Sequence, residues 1–282
     1  QEERVTDLQS RTAVVTGAGS GLGAALAWAF ADAGASVALL DIDADAAAAN
    51  AATIAAETGV ATTSARCDVG DTASVVTAAE HVRVTIGGCD ILCSNVGVQQ
   101  FGAIDKLTDE DWQWVLNVNV LGTVRTVREF LPMLRAGTGF RRIVFTASSS
   151  VLAPSVRLGA YQTSKFAVLG FAESLREELA GDDIGVTVLF PGGMMTRHLE
   201  SSVQARPTEL GESILDQRDV EAMMAHQPMG DGDLATPEHA IRNLLVDLEA
   251  GEPYVLTHGS YRPLYEQRRA ALDAAFDRME AS

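Results

Sequence analysis

Lysine is almost missing from this chain: Lys106 and Lys165 are the only two among 282 residues, against nineteen arginines. Codon bias weakens the inference from that scarcity without removing it, and Lys165, four residues after Tyr161, asks for a chemical reason. Cysteine is scarce too. Cys67, Cys89 and Cys93 are odd in number and no histidine cluster stands at ligand spacing around them, which argues against a disulfide framework and a structural metal and points to a reducing, cytoplasmic setting. No apolar run reaches the roughly eighteen residues of a membrane-spanning helix. The start, QEERVTDLQSRTAVV, has neither the basic nor the apolar region of a signal peptide, so a soluble, unprocessed protein is expected. Positive charge is also short. A formal charge of −17 argues against nucleic acid or an anionic membrane as the main partner, because phosphate backbones are held by concentrated Lys and Arg. The acidity is read as surface solvation, and an anionic small molecule would need local help to bind.

What is present is a regular alternation. Short apolar runs at 12–17, 36–41, 91–96, 142–148 and 185–190, with a weaker one at 61–69, alternate with helical stretches at 22–33, 44–57, 71–86, 108–135 and 158–180. Near-continuous apolar strands are buried on both faces, the mark of a parallel sheet, and the β-α-β-α order predicts a doubly wound α/β domain. Thr236-Pro237 opens a further helix that stops near Gly251, a Thr cap with proline at the first helical position. A last strand at 254–258 feeds a C-terminal helix on which Leu264, Leu272, Ala275, Phe276 and Met279 suggest one apolar face. The stretch 196–235 has little strand character and is expected to be a lid, since long excursions in such folds are generally functional or disordered.

TGAGSGLG at 16–23 follows the first strand and opens the first helix. Glycines there let backbone N–H groups approach a pyrophosphate, and the helix N-terminus adds partial positive charge. That supplies the local help an acidic protein needs. The second strand ends at Asp41, about where a carboxylate meets the adenosine ribose. A carboxylate accepts from a 2′-hydroxyl and repels a 2′-phosphate, and no basic residue lies in Ala18–Ser20 or just after Asp41, so NAD is expected over NADP. The competing reading of Asp41 is a turn or helix cap shared with Asp43 and Asp45.

Tyr161 and Lys165 stand at i and i+4 of a helical segment, on one face and one turn apart. A phenol is a poor base near neutrality, and an adjacent ammonium favours its phenolate. Ser148 lies thirteen residues before Tyr161, in TASSS, and Asn119 lies in NVNVLG. With TGAGSGLG, NVG at 95–97, YQTSK at 161–165 and PGGMMT at 191–196, the chain resembles the short-chain dehydrogenase/reductase family over essentially residues 8–260. The resemblance implies one Rossmann-type doubly wound domain over 1–282, with the lid inserted after the sixth strand. It implies Tyr161 as the general acid/base, Lys165 as the residue that lowers its pKa and reaches the nicotinamide ribose, Ser148 as the group polarising the substrate oxygen, and Asn119 as holder of a relay water. It implies an NAD site formed by Gly17, Ser20, Gly21, Leu22 and Gly23, by Asp41 and Ile42, by Asp68 and Val69 beside the adenine, by Asn95, Val96 and Gly97, by Tyr161 and Lys165 themselves, and by Pro191, Gly192, Met194 and Thr196 at the carboxamide. SNVG here replaces the family's NNAG, with Val96 in place of Ala, and the neighbouring Ser149 and Ser150 compete with Ser148.

The resemblance also implies a homotetramer or homodimer, with Trp112 and Trp114 on a helix that packs between subunits in that family; core packing is the equal alternative. His81, His198, His226, His239 and His258 are scattered, and His198 and His226 fall in the lid. The expected activity is NAD-dependent interconversion of a secondary alcohol and a ketone. Five of the seven methionines, Met194, Met195, Met223, Met224 and Met229, cluster in 194–229, which favours a hydrophobic or aromatic substrate. The lid arginines Arg197, Arg206 and Arg218 leave room for a carboxylate clamp. Rival readings are a non-catalytic NAD-binding protein, a reductase of a polar 3-oxoacyl or sugar substrate, and carbon-carbon or dehydratase chemistry on a longer relative of the fold.

Overall fold

Seven strands form one parallel sheet in the order β3-β2-β1-β4-β5-β6-β7. They are β1 Thr12–Thr16, β2 Ser36–Asp41, β3 Thr62–Arg66, β4 Ile91–Ser94, β5 Arg142–Thr146, β6 Gly185–Phe190 and β7 Tyr254–Leu256. The computed structural model describes residues 8–194, 198–211, 216–225 and 234–281. The chain winds outward from β1 to β3, then returns to start β4 on the other side of β1, with Val14 in register with both Ala38 and Leu92. At such a reversal the loops leaving the strand ends diverge and open a crevice. Every residue of β1 and β4 is buried, which is why both read as unbroken apolar runs.

Helices α1 Gly21–Asp32, α2 Ala44–Thr58 and α10 Leu244–Ala250 cover one face, where Phe30, Ile54 and Leu248 join Val15 and Leu39 in a core. Helices α3 Thr72–Thr85, α5 Gly122–Ala136 and α6 Gly159–Glu178 cover the other, through Val82, Phe130 and Ala172 on Val14, Leu92 and Phe145. The helix expected over 108–135 is interrupted: α4 Asp109–Leu116 passes into a π turn, Asn117–Leu121, before α5 begins. A π turn admits one extra residue without breaking the apolar pattern, so the periodicity conceals it. Its effect is to bury Asn119 completely.

Between β6 and β7 the described residues are helical, with α7 His198–Gln204, α8 Gln217–Ala225 and the short α9 Pro237–Ala240. The expected helix from Thr236 to Gly251 is divided by a turn at 241–243. Polar ties hold this segment down, among them an Arg206 Nη1 bond to Gln100 Oε1 at 3.2 Å and three others. Gln99 N–H donates to Ser202 Oγ at 3.1 Å, Arg157 Nε meets Asp219 at 2.8 Å, and Arg206 Nη1 stands 2.7 Å from Asp111 Oδ1. The last pair has both side chains under a tenth exposed, and its oxygen lies off the hydrogen-bond line, so the attraction is mainly Coulombic. Asp111 also completes a capping box with Thr108 at the start of α4. The C-terminal α11, Arg262–Glu280, buries none of its residues; of the apolar face expected there Leu264 is half-buried and Leu272 and Phe276 are exposed.

Removing one partner of a buried ion pair strands the other, at a cost of about 3–5 kcal/mol. Arg206→Met is therefore expected to lower the unfolding free energy in urea by about 3 kcal/mol or more, whereas Thr108→Ala, which removes only a cap, costs about 1 kcal/mol. Equal losses would show that Arg206 and Asp111 are solvated in the folded protein.

Candidate active site

Three loops leave the carboxyl ends of β1, β4 and β5, and side-chain hydrogen bonds lock those ends together. Thr16 Oγ1 donates to Cys93 O at 3.1 Å and accepts from Asn95 N–H at 3.0 Å. Asn95 Nδ2 donates to Thr16 O at 3.2 Å, and Thr146 Oγ1 donates to Asn95 Oδ1 at 2.9 Å. Asn95 thus joins the three strand ends from which the glycine-rich loop, the turn through Gly97 and the turn bearing Ser148 depart.

The glycine-rich loop runs from Gly17, with φ +69°, to Gly21, with φ +54°. Gly23 has no room for a side chain, because a Cβ there would overlap the Gly17 carbonyl. Ser20 is the N-cap of α1 and makes no side-chain cap, while Leu22 is buried beneath the loop. The first backbone N–H groups of a twelve-residue helix are thus presented beside glycines that leave space, a cradle suited to a phosphate diester. Val96 Cγ2 lies 3.3 Å from where a Gly17 Cβ would stand, so the valine fills the loop's flank. Asp41 accepts from Gly19 N–H at 2.7 Å and from Asp43 N–H at 2.9 Å. The cap of α2 is Asp43, which accepts from Ala46 N–H at 3.0 Å, so Asp41 is not the cap. Ile42 beside it is exposed. Asp68 Oδ1 accepts from Gly70 N–H at 2.9 Å, and Val69 is buried against Gly122.

At the reacting end, Ser148 caps the short turn Ser149–Val151, accepting from Ser150 N–H at 3.1 Å, and its hydroxyl hydrogen-bonds the Tyr161 oxygen. Among the three adjacent serines it is Ser148 that meets the tyrosine; Ser149 N–H donates to Pro191 O at 2.8 Å. Burial pushes the Tyr161 phenol above its ordinary pKa, the Ser148 hydrogen bond opposes that, and Tyr261 adds to it. Lys165 Nζ stands 5.6 Å from the Tyr161 ring centre and donates to Thr146 O at 2.8 Å. Its own ammonium is pulled down by burial to about 8. Desolvation, rather than the lysine, dominates the phenol in this arrangement.

Asn119 spends its side chain inside the protein: Oδ1 accepts from Val98 N–H at 2.7 Å, and Nδ2 donates to Val98 O and Ser164 Oγ, both at 2.8 Å. Ser164 in turn donates to Tyr161 O at 2.6 Å. The side chain Gly97 lacks would lie 2.9 Å from Lys165 Nζ and 3.7 Å from Asn119 Oδ1, so that glycine leaves a gap bordered by both polar groups.

After β6, Gly192 N–H donates to Thr257 Oγ1 at 2.9 Å, and a Cβ on Gly192 would collide with the His258 ring. Met194 bridges to Ala235 and packs on the core beneath the sheet. A cavity of about 570 Å³ lined by Ala235, His239 and His258 borders this segment, away from the serine–tyrosine pair. Thr196, together with Met195, Arg197, His226, Met229 and the side chain of Met224, lies outside the described residues. Around Tyr161 the wall is apolar: Phe101 and Leu158, with Leu199 of α7 and Met223 of α8. His198 lies 6.3 Å from Tyr161, ring centre to ring centre; burial and the Lys165 charge depress its imidazole to about 4, so it is neutral near neutral pH. Trp114 is buried among Val98, Val115 and Ala160 and serves core packing.

Several contributors escaped the sequence reading. Asn50 Nδ2 donates to Ala18 O and Gly19 O, at 2.9 and 3.0 Å, steadying the glycine-rich loop from α2. Its signal was available as a lone asparagine, a poor helix former, in an otherwise alanine-rich helix. Arg66 stands in register with Asp41 across β2 and β3, a neighbour invisible to a search near Asp41 in the chain. Tyr261, buried beside Gly192 and within electrostatic reach of Tyr161, carried no local signal.

Comparison with known proteins gives a consistent picture. The family model described as short chain dehydrogenase matches residues 11–207. A CLA biosynthesis dehydrogenase/reductase of Lactiplantibacillus plantarum is 29% identical over 74% of this chain and 76% of its own length. Human 17-beta-hydroxysteroid dehydrogenase type 1 is 33% identical over 71% of this chain and 62% of its own. Other curated relatives are matched over 48–62% of their length. A short chain dehydrogenase/reductase from Burkholderia phymatum, solved in complex with NAD, superposes with a TM-score of 0.86 at 27% identity, covering 95% of this chain and 96% of that one.

Proposed function

The chain belongs to the short-chain dehydrogenase/reductase family of oxidoreductases, and from that premise we propose that it interconverts a hydrophobic secondary alcohol and its ketone, with NAD as the redox partner. The observation that carries this reading is the contact of Ser148 with Tyr161 at the base of an apolar wall, one helical turn from a buried lysine. NAD, when bound, supplies the hydride acceptor for oxidation and the donor for reduction. The glycine cradle from Gly17 to Gly23 with Ser20 and Leu22 would hold its pyrophosphate, Asp41 and Ile42 its adenosine ribose, Asp68 and Val69 its adenine, and Asn95, Val96, Gly97, Pro191, Gly192, Met194 and Thr196 the remainder. In oxidation the alcohol proton passes to the Tyr161 oxygen. Ser148 aligns that oxygen and the substrate hydroxyl, since a hydrogen bond to the developing phenolate lowers its cost. Lys165, tethered to Thr146 O, holds positive charge under the tyrosine ring and reaches the ribose. The gap at Gly97 suits a water between Lys165 and Asn119, by which the proton would leave.

Substrate polarity follows from what lines the wall. Phe101, Leu158, Leu199 and Met223 meet Tyr161, whereas Arg206 and Arg218 are committed to Asp111 and Asp216, which removes two of the three lid arginines from a carboxylate clamp. The nearby His198 is neutral and offers a single polar handle.

An aryl alkyl carbinol is expected to exceed a short hydroxy acid in kcat/KM by more than tenfold, and Leu199→Ala or Met223→Ala to narrow the gap. A preference for the hydroxy acid would show that the wall packs without selecting. Tyr161→Phe is expected to lower kcat by at least about two orders of magnitude with the fold retained. Because burial raises the phenol pKa, oxidation should climb with pH through the neutral and alkaline range, and Ser148→Ala, by deleting the bond that favours phenolate, should move that rise to higher pH. A profile unmoved by Ser148→Ala would separate the two residues. For the cofactor, NAD should be favoured over NADP by about tenfold or more, about 1.4 kcal/mol. Asp41→Ala should erode the ratio by leaving Arg66 to meet a 2′-phosphate, and adding Arg66→Ala should cancel the gain for NADP. Equal efficiency of both cofactors in the unaltered protein would overturn the assignment.

A further inference from the structure

Tyr261 is a buried aromatic residue, 3% exposed, that joins none of the apolar clusters forming the core. It follows β7 and is the N-cap of α11, so the edge of the sheet delivers it to the carboxyl ends of the strands. Two bonds fix that part of the chain. Thr257 Oγ1, at the end of β7, accepts from Gly192 N–H at 2.9 Å. Arg268, two turns along α11, donates to Val151 O at 2.6 Å, on the turn that Ser148 caps, and its guanidinium lies 4.8 Å from the centre of the Phe166 ring.

Between these anchors the Tyr261 ring meets the site by its hydroxyl end. Its Cε2, next to the carbon that bears the hydroxyl, is 3.0 Å from where a Gly192 side chain would begin. The phenol is also close enough to Tyr161 to raise the cost of ionising it. Pro191 O, one residue before Gly192, accepts from Ser149 N–H at 2.8 Å, so the Gly192 turn, the Ser148 turn and the Tyr261 hydroxyl end are fastened together.

The chemistry of the reacting oxygen leaves this hydroxyl for another atom. A carbonyl oxygen has two lone pairs, and in the reading above Ser148 and Tyr161 take both. A phenol hydroxyl donates and accepts at once, so a partner within the chain leaves it capacity for a ligand. The preceding Ser260 adds a second polar group at the same turn: its Oγ is buried with no hydrogen-bond partner among the described residues, a state that costs stability unless something fills it. This side of the site is therefore polar, where the side formed by Phe101, Leu158, Leu199 and Met223 is apolar. The nearby cations are engaged elsewhere: Arg262 with Glu266 at the surface, Arg268 with Val151 O, and Lys165 with Thr146 O. A carboxylate held here would be a buried charge without a partner, so the oxygen to be met is neutral. An oxygen on the adjacent carbon is the nearest second oxygen that a secondary alcohol can carry.

Resting on the alcohol–ketone reading, we propose that Tyr261 is a specificity-determining residue that hydrogen-bonds a second, uncharged oxygen on the carbon next to the reacting one. The substrate is then a hydrophobic carbinol with a vicinal hydroxyl or ether, its apolar group on the Phe101–Met223 wall and its second oxygen towards the turn between β7 and α11.

The test compares kcat/KM of the full chain with NAD for 1-phenylethanol, 1-phenylethane-1,2-diol and mandelate, with the ketone products identified by chromatography. The diol is expected to exceed both others by at least about tenfold, because a site that pairs a substrate hydroxyl discriminates against an analogue lacking it. Tyr261→Phe, which keeps the ring, is expected to remove the preference over 1-phenylethanol by raising KM for the diol, whereas a loss of packing alone would lower turnover of both alcohols in proportion. Tyr261→Met gives the same comparison if circular dichroism shows the phenylalanine variant unfolded. Equal efficiency with diol and 1-phenylethanol in the unaltered chain, a preference for mandelate, or a ratio retained by the folded variants would overturn the proposal. Oxidation of both alcohols at equal efficiency, lost in Tyr161→Phe, would keep the alcohol–ketone reading and overturn this one alone; no oxidation of either would overturn both.

Discussion

The hydrogen-bond chain from Thr16 through Asn95 to Thr146 is the constraint on which the rest of the site depends. It joins the carboxyl ends of β1, β4 and β5, and each of those ends launches one part of the apparatus: the glycine-rich loop, the turn through Gly97, and the turn bearing Ser148. Thr146 serves twice, since its hydroxyl holds Asn95 while its carbonyl receives Lys165. The separation between the glycine-rich loop and the lysine is thereby set by a short chain of hydrogen bonds between strand ends.

Burial works against charge throughout this protein, and the site uses the conflict. In the proposed cofactor site, the attraction for a pyrophosphate would come from N–H groups at the start of α1, whose partial charges the helix already fixes. The same dry surroundings lift the phenol of Tyr161 and depress the ammonium of Lys165, driving apart two groups that titrate close together in water. The three thiols sit in comparable dryness, with Cys67 pushed up to about 12, and take no part in that balance.

Much of this was legible in the residues. The five central strands were legible because strands buried on both faces have few polar interruptions, while the edge strands β3 and β7, half-exposed, left a weaker trace; the joint spacing of Ser148, Tyr161 and Lys165 placed three groups that the fold brings together. Legibility failed where contacts are long in sequence and carried by the backbone. The π turn at Asn119 left the apolar rhythm of its helix intact, Arg66 reached Asp41 only through strand pairing, and Asn50 reached the loop from thirty residues away by binding carbonyls, which have no residue identity to read. The apolar face of α11 was visible in the pattern, and the structure leaves its Leu272 and Phe276 exposed.

The segment between β6 and β7 is fastened to the body by a few polar ties, Ser202 to Gln99, Asp219 to Arg157 and Arg206 to Asp111, while its apolar residues Leu199 and Met223 lean over Tyr161. Tyr161 and Lys165 stand on α6 and Ser148 on the turn after β5, and half the apolar wall around Tyr161 is on this separately fastened piece. Such a molecule can drift in what it accepts while conserving how it reacts. Natural descent could reshape α7 and α8 residue by residue without revisiting the strands, so lineages that share this chemistry are free to part company over diet.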